Sequence, residues 1–237
     1  MVINPDMLIY CICLPNRRTN CDMFFEKLGV VPIYTTVTLT AEIAHLPEFV
    51  TSRWKDTKGA LACAMSHRTA CQALLDTDEQ LAVVFEDDND IPDSSRIATY
   101  HALLAELRHR VNDFNYVNLS PCDAQFPPRL SSLKLRTLSN IRLHNASGWC
   151  ANAYIISREG ARLCLEMKWK KQHDYYLKSM PKAFDVHPRL FQQNSQPSSI
   201  GHKACPPEYT YTCFIAVIVC AVIGITAIVV MIICLKV

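Results

Sequence analysis

The apolar run Leu81-Ala82-Val83-Val84-Phe85 passes directly into Glu86-Asp87-Asp88-Asn89-Asp90. A strand that stops in four carboxylates within five residues has to end at a sheet edge where water or a cation offsets the concentrated charge. Oxygen-only ligands favour a hard cation, Mg²⁺ or Mn²⁺, whose usual substrate is a diphosphate. No Cys or His lies close in sequence to suggest zinc. Strand-to-helix loops are also often acidic through solvation alone, and Asp93 or Ser94 is placed to cap the helix that follows. Taken by itself, the cluster reads first as a solvated loop.

The 237-residue chain has room for one globular domain and an appendage. From Cys213 to Leu235 there is no charged residue, with only Thr226 and Gly224 as relief. As a helix this segment is about 35 Å long, enough to cross a bilayer. A buried soluble helix of that length would carry a polar face. The N-terminus has no signal peptide: Met7 to Leu14 is short, lacks a basic flank and runs into Pro15-Asn16-Arg17-Arg18, so it reads as a first strand. Together these features describe a tail-anchored protein whose domain stays on the cytosolic side. The net charge of +2 is too small to point to nucleic acid.

Of the twelve cysteines, Cys213, Cys220 and Cys234 belong to the expected span. Cys11, Cys13, Cys63, Cys71 and Cys164 fall at apolar positions of strands or helices, where a thiol packs as a small hydrophobe. Free thiols are expected, since the spacing matches no zinc pattern and no targeting segment indicates an oxidising compartment. Cys205 and Cys213, next to the membrane, are candidates for palmitoylation. The sequons at Asn118 and Asn145 matter only in a secretory lumen.

Strand-like and helix-like segments alternate, which favours an α/β sandwich. Strands are expected at 7–14, from Pro32, at 81–85, 114–119 and 153–156, and helices at 18–28, 57–75, 94–111 and after Ser157, a suitable N-cap. Residues 121 to 148 read as a long loop of the kind that covers active sites. Residues 181 to 210, rich in Pro and Gln, read as the approach to the membrane. There is no internal repeat and no Gly-rich phosphate loop.

Four blocks, in this order and spacing, resemble glycosyltransferase family 25, the group of bacterial lipooligosaccharide and animal collagen galactosyltransferases. Ile9 to Arg18 is similar to the family's opening strand with its basic pair, and Gly59 to Ala70, containing Cys63, Ser66 and His67, to its Gly-Cys-x-x-Ser-His helix. Ala82 to Asp88 resembles the Leu-Glu-Asp-Asp strand end, and Ala153 to Arg162 the Tyr-x-Ile-Ser-x-x-Gly-Ala block. Asp174-Tyr175-Tyr176-Leu177 and Pro188 to Ile200, with Gln193, match a later Asp and a Gln…Ser-Ser-Ile tail. Cys11, Cys13, Pro15 and the stretch 121 to 143 depart from the pattern.

The resemblance implies a GT-A type nucleotide-sugar-binding sandwich over residues 7–201, joined by a linker at 202–212 to a transmembrane helix at 213–235. It implies transfer of a hexose, most often galactose, from a UDP-sugar to a glycan, lipid-linked or protein hydroxyl. A carboxylate-held Mn²⁺ or Mg²⁺ would neutralise the departing diphosphate. Asp88 is the first candidate ligand and Glu86 the next. Strand alternation puts these two on one side and Asp87 on the other, while Asp90 is an alternative partner for Asp88. An inverting transfer needs a base, and Asp174 occupies the family's later acidic position, although it reads equally as a surface Asp near a helix start. Arg17, Arg18, Ser66, His67 and Asp87 are candidates for the donor site, although His67 reads first as a hydrogen-bonded helix histidine and the two arginines also suit solvation of the first turn.

The competing reading is a membrane-tethered protein that keeps the fold without turnover and binds a glycan or a protein. A lumenal location in the endoplasmic reticulum or Golgi is the alternative to the cytosol. Truncation after Pro206 is expected to release the chain from membranes that otherwise resist alkaline carbonate extraction. A full-length chain found soluble would assign the apolar segment to the core instead.

Overall fold

The computed structural model describes residues 7–39, 58–122, 133–166 and 173–194. The chain divides into two units, Met1–Ala204 and Cys205–Val237. The expected linker and the span Cys213–Leu235 lie outside the described residues. Among the described residues no helix is long and apolar enough to cross a membrane.

The strands in chain order are β1 (Leu8–Ile12), β2 (Ile33–Thr35), β3 (Leu81–Glu86), β4 (Asn89–Asp90), β5 (Tyr116–Asn118), β6 (Arg142–Asn145), β7 (Ala153–Ser157), β8 (Ala183–His187) and β9 (Gln192–Gln193). The helices are α1 (Arg18–Leu28), α2 (Lys58–Leu75), α3 (Ser95–Arg108), α4 (Arg158–Glu166) and α5 (His173–Ser179), with a 3-10 turn at Pro15–Arg17 before α1. Seven strands form one sheet in the order β2-β1-β3-β7-β5-β8-β6. All but β6 and β7 run in one direction.

Helices cover both faces of this sheet, so its central strands have no solvated side. That is why β3 is apolar throughout instead of alternating. Val83 and Phe85 pack with Phe25, Leu28, Tyr100, Leu103 and Leu107 of α1 and α3. Ala82 and Val84 pack with Cys71, Leu74, Ala161, Cys164 and Leu177 of α2, α4 and α5. The mixed α/β architecture expected from the alternation of segments is the one observed.

Local chemistry fixes the element ends. Ser157 Oγ accepts the Gly160 N–H at 3.0 Å, the N-cap expected of it. Asp93, and not Ser94, caps α3, its carboxylate accepting the Ser95 N–H at 3.0 Å. The Arg158 guanidinium donates to the Leu75 and Thr77 carbonyls at 2.9 and 2.5 Å, where the negative end of α2 favours a cation. Gly29 closes α1 at φ 76°, a left-handed C-cap.

Two segments read as loops contain strands. The expected loop 121–148 includes β6, which pairs antiparallel with β8. The proline-rich segment after 181 supplies β8 and β9, and β8 lies inside the sheet between β5 and β6. Asp185 in its middle and Pro181 and Pro188 at its flanks hid it, because such residues are depleted from strands. A further correction concerns the cysteines: Cys122 and Cys150 form a disulfide. It sits where Cys122 and Trp149 exchange backbone hydrogen bonds of 2.9 and 2.8 Å. Cys11, Cys13, Cys21, Cys63, Cys71 and Cys164 are free thiols.

Gly160 shows why a small residue starts α4: a Cβ there would fall on the backbone carbonyl of Asn115. That carbonyl accepts the Ser157 N–H at 3.1 Å and cannot withdraw without loosening β5. Gly160→Ala is therefore expected to cost about 1–3 kcal/mol through overpacking, read as a fall in the urea midpoint of the full chain at unchanged slope.

Candidate active site

At the end of β3 the alternation of the strand stops, because Asp87 and Asp88 lie in the turn to β4. The three carboxylates consequently point to three different neighbours. Glu86 Oε1 meets His67 Nε2 of α2 at 2.9 Å and lies 3.9 Å from Cys63 Sγ. Asp87 accepts the Leu14 N–H at 2.9 Å and the Arg17 Nη1 at 2.7 Å. Asp88 Oδ2 accepts from Gln193 Nε2 at 2.5 Å. The pairing of β4 with β9 puts Gln193 there, helped by the Asn194 N–H donating to the Asp88 carbonyl at 2.7 Å.

A cavity of about 210 Å³ opens beside this turn, between the ends of β1 and β3 and the first half of α2. Ile12, Leu14, Thr38, Ser66, Glu86 and Asp87 border it. It is therefore Glu86 and Asp87, not Glu86 and Asp88, that share a wall, which corrects the side-by-side placement expected from strand geometry. Ser66 is fixed by accepting the Thr38 N–H and donating to the Ala62 carbonyl, both at 2.9 Å. Arg17 reaches the site through Asp87. Arg18 does not: its guanidinium lies 2.9 Å over the Tyr34 ring and pairs with Asp22 at 3.4 Å.

His67 is fully buried behind Glu86. With Glu86 ionised, Nε2–H donates to it, and Nδ1 accepts from the Tyr154 hydroxyl at 2.9 Å. The ring also stacks on His173 at 4.5 Å between centroids, and burial, then His67, pushes the His173 pKa well down. His67 therefore positions Glu86 from behind. The absence of a neighbouring Cys or His in sequence is overturned in space: Cys63, His67 and Glu86 offer ligand atoms within 4.8 Å of one another.

Asp174, at the start of α5, accepts the Cys150 N–H at 3.0 Å. Burial, then the charge of Glu86, raises its pKa. Burial, then Glu86, pushes Asp88 up to about 7. Cys63 is raised by burial and then by the charges of Glu86, Asp174 and Asp88. Asp88 Oδ1 is buried and has no hydrogen-bond partner among the described residues. A cation could satisfy such an oxygen and offset the charge of Glu86.

Sequence reasoning missed several residues. Asn89 Nδ2 donates to the Glu86 and Asn152 carbonyls at 3.0 and 2.5 Å, and Asn152 Nδ2 returns to Asn89 Oδ1 at 2.8 Å. This pair shapes the turn, and an amide set among acids was its only signal. Asp185 accepts the Ser147 and Gly148 N–H groups, both at 2.8 Å. Lys178, whose ammonium lies 3.2 Å over the half-exposed Trp149 ring, interacts with both Asp174 and Asp185. Asn118, the first sequon, is buried and donates to the Cys150 carbonyl at 2.9 Å, whereas Asn145 is exposed.

A family model described as glycosyltransferase family 25 (LPS biosynthesis protein) matches residues 42–177, more than half of the 237-residue chain. No curated protein matches it. The crystal structure of A197 from STIV is similar at 10% identity and a TM-score of 0.41, over 86% of this chain and 96% of that one. At that score the likeness bears on nothing further.

Because Tyr154 is the partner that keeps His67 turned toward Glu86, Tyr154→Phe leaves a buried imidazole nitrogen unsatisfied. A loss of about 1–3 kcal/mol in unfolding free energy is expected, against almost none for Tyr100→Phe, whose buried hydroxyl has no hydrogen-bond partner among the described residues. Equal stabilities would show that the hydroxyl does not hold the ring.

Proposed function

The chain belongs to glycosyltransferase family 25, and we propose that it transfers a hexose from a UDP-sugar to a glycan, lipid-linked or protein hydroxyl with the help of Mn²⁺ or Mg²⁺. Membership implies a nucleotide-sugar donor and a glycoconjugate acceptor. The observation that carries the finer reading is Asp88 Oδ1, buried without a hydrogen-bond partner among the described residues and within reach of the charge of Glu86.

The donor set fits a hard cation: Asp88 Oδ1 supplies the unsatisfied oxygen and Glu86 the second carboxylate, which His67 can release or share. When bound, the cation neutralises the charge that builds on the leaving diphosphate. The rest is work for the chain itself. Leu14 N–H and Arg17 hold Asp87 and so fix the cavity wall between β1 and β3. The cavity's apolar rim at Ile12 and Leu14 suits a base ring, and Ser66 supplies a hydroxyl. Asp174, raised by burial and by Glu86, is the better proton acceptor for that shift and takes the acceptor's hydroxyl proton. Lys178 and Trp149 flank it and give the acceptor sugar a charged and an aromatic face. The segment 213–235, if it spans a bilayer, tethers this site to membrane-borne acceptors.

Two substitutions test this. Asp88→Asn is expected to abolish metal-stimulated hydrolysis or transfer of UDP-sugars while leaving the domain folded, and excess chelator should do the same to the parent chain. Asp174→Asn is expected to lower kcat by about 10²–10⁴-fold with little change in donor KM. Full activity of Asp88→Asn, or full activity in chelator, contradicts the proposal.

A further inference from the structure

We infer that Cys11, Cys13 and Cys21 form a three-thiolate site for a thiophilic d¹⁰ cation, Zn²⁺ or Cu⁺, at the junction of β1 and α1. Cys11 and Cys13 are two residues apart along an extended segment and so point to one side. Cys21 comes from the buried face of α1 to meet them. The three sulfurs lie within 4.8 Å of one another, and Cys21 Sγ is 2.9 Å from Cys13 Sγ. Neither the carboxylate site nor the transfer chemistry uses them.

The donor set decides the ion. Thiolates select soft cations and reject the oxygen-seeking Mn²⁺ and Mg²⁺, so this site is chemically separate from Asp88. A cation about 2.3 Å from each sulfur needs sulfurs about 3.8 Å apart, and opening the Cys13–Cys21 contact by roughly 1 Å achieves that. Three sulfurs complete a trigonal Cu⁺ site, whereas Zn²⁺ takes a water as its fourth ligand. Access exists, since Cys13 is only half-buried while Cys11 and Cys21 are buried. Hydrogen bonds from Cys11 and then Cys21 pull the Cys13 pKa down, and a bound cation takes the place of the thiol protons that make these contacts.

The position gives the site a consequence. The chain between Cys13 and Cys21 carries Leu14 and Arg17, the two partners of Asp87, and Cys21 Sγ lies 4.0 Å from the Asp87 carbonyl oxygen. An ion joining Cys11, Cys13 and Cys21 closes this turn on itself and holds the cavity wall in place. The other buried thiol pair, Cys71 with Cys164, offers two sulfurs and neither is exposed, so it serves as the control.

The test uses the full chain, purified in detergent under reducing, oxygen-free conditions and offered Zn²⁺ or Cu⁺ separately. About one ion per chain is expected to survive desalting, with Cys13 protected from alkylation until a chelator is added. Cys13→Ser and Cys21→Ala are expected to lose the ion and Cys164→Ala to keep it; which of the two ions is retained identifies the occupant. Should a variant misfold, thiolate-to-cobalt charge transfer on adding Co²⁺ to the parent chain reads the same site without mutation. Neither ion retained above the level of Cys13→Ser, no such absorption, or a Cys13–Cys21 disulfide in the chain isolated without reductant would overturn the inference. Metal content is read whether or not the chain transfers sugar, so this outcome and that of the Asp88 test are separable.

Discussion

Three consecutive carboxylates at the end of β3 cannot all be desolvated unless each finds a separate counterpart. Glu86 is met by His67 from α2, Asp87 by Arg17 and the Leu14 N–H from the turn before α1, and Asp88 by Gln193 from β9. Three distant parts of the chain are thereby drawn to one turn. The Asn89–Asn152 pair holds the backbone of that turn in shape. Burial first, and then the charge of Glu86, raises Asp88 and Asp174, and a bound cation would offset both.

The same arrangement divides the site into two sides. The ends of β1 and β3 with α2 frame the cavity. The ends of β7 and β8 with α5 bring Asp174, Asp185, Lys178 and Trp149 together, and the Cys122–Cys150 disulfide ties down the backbone between them. A two-substrate transfer needs a donor side and an acceptor side, and these two groups of residues are the ones proposed for them.

Long, strongly periodic elements were legible in the sequence. The spacing of Ala64, Cys71 and Leu74 marks α2, and the uninterrupted apolar run marks β3, because burial on one face or on two leaves a direct imprint on residue type. β8 was not legible, since its central Asp185 is buried by specific hydrogen bonds to Ser147 and Gly148 that no local pattern announces. The same holds for the direction of the three carboxylates: alternation fails as soon as the backbone turns after Glu86. The meeting of Cys11, Cys13 and Cys21 required knowing which face of α1 packs on β1. His67, whose place in α2 suits a hydrogen-bonded helix histidine more than a donor-site group, is bonded to Glu86 and Tyr154.

The central claim is that the turn after β3 is built around a cation and a nucleoside diphosphate. Crystals of the chain soaked with UDP and Mn²⁺ and measured for anomalous scattering test it most directly. A manganese peak is expected within about 2.3 Å of Asp88 Oδ1, next to Glu86, with the uridine in the cavity between β1 and β3. UDP bound in that cavity with no anomalous density at Asp88, or manganese found only away from the turn, would contradict it.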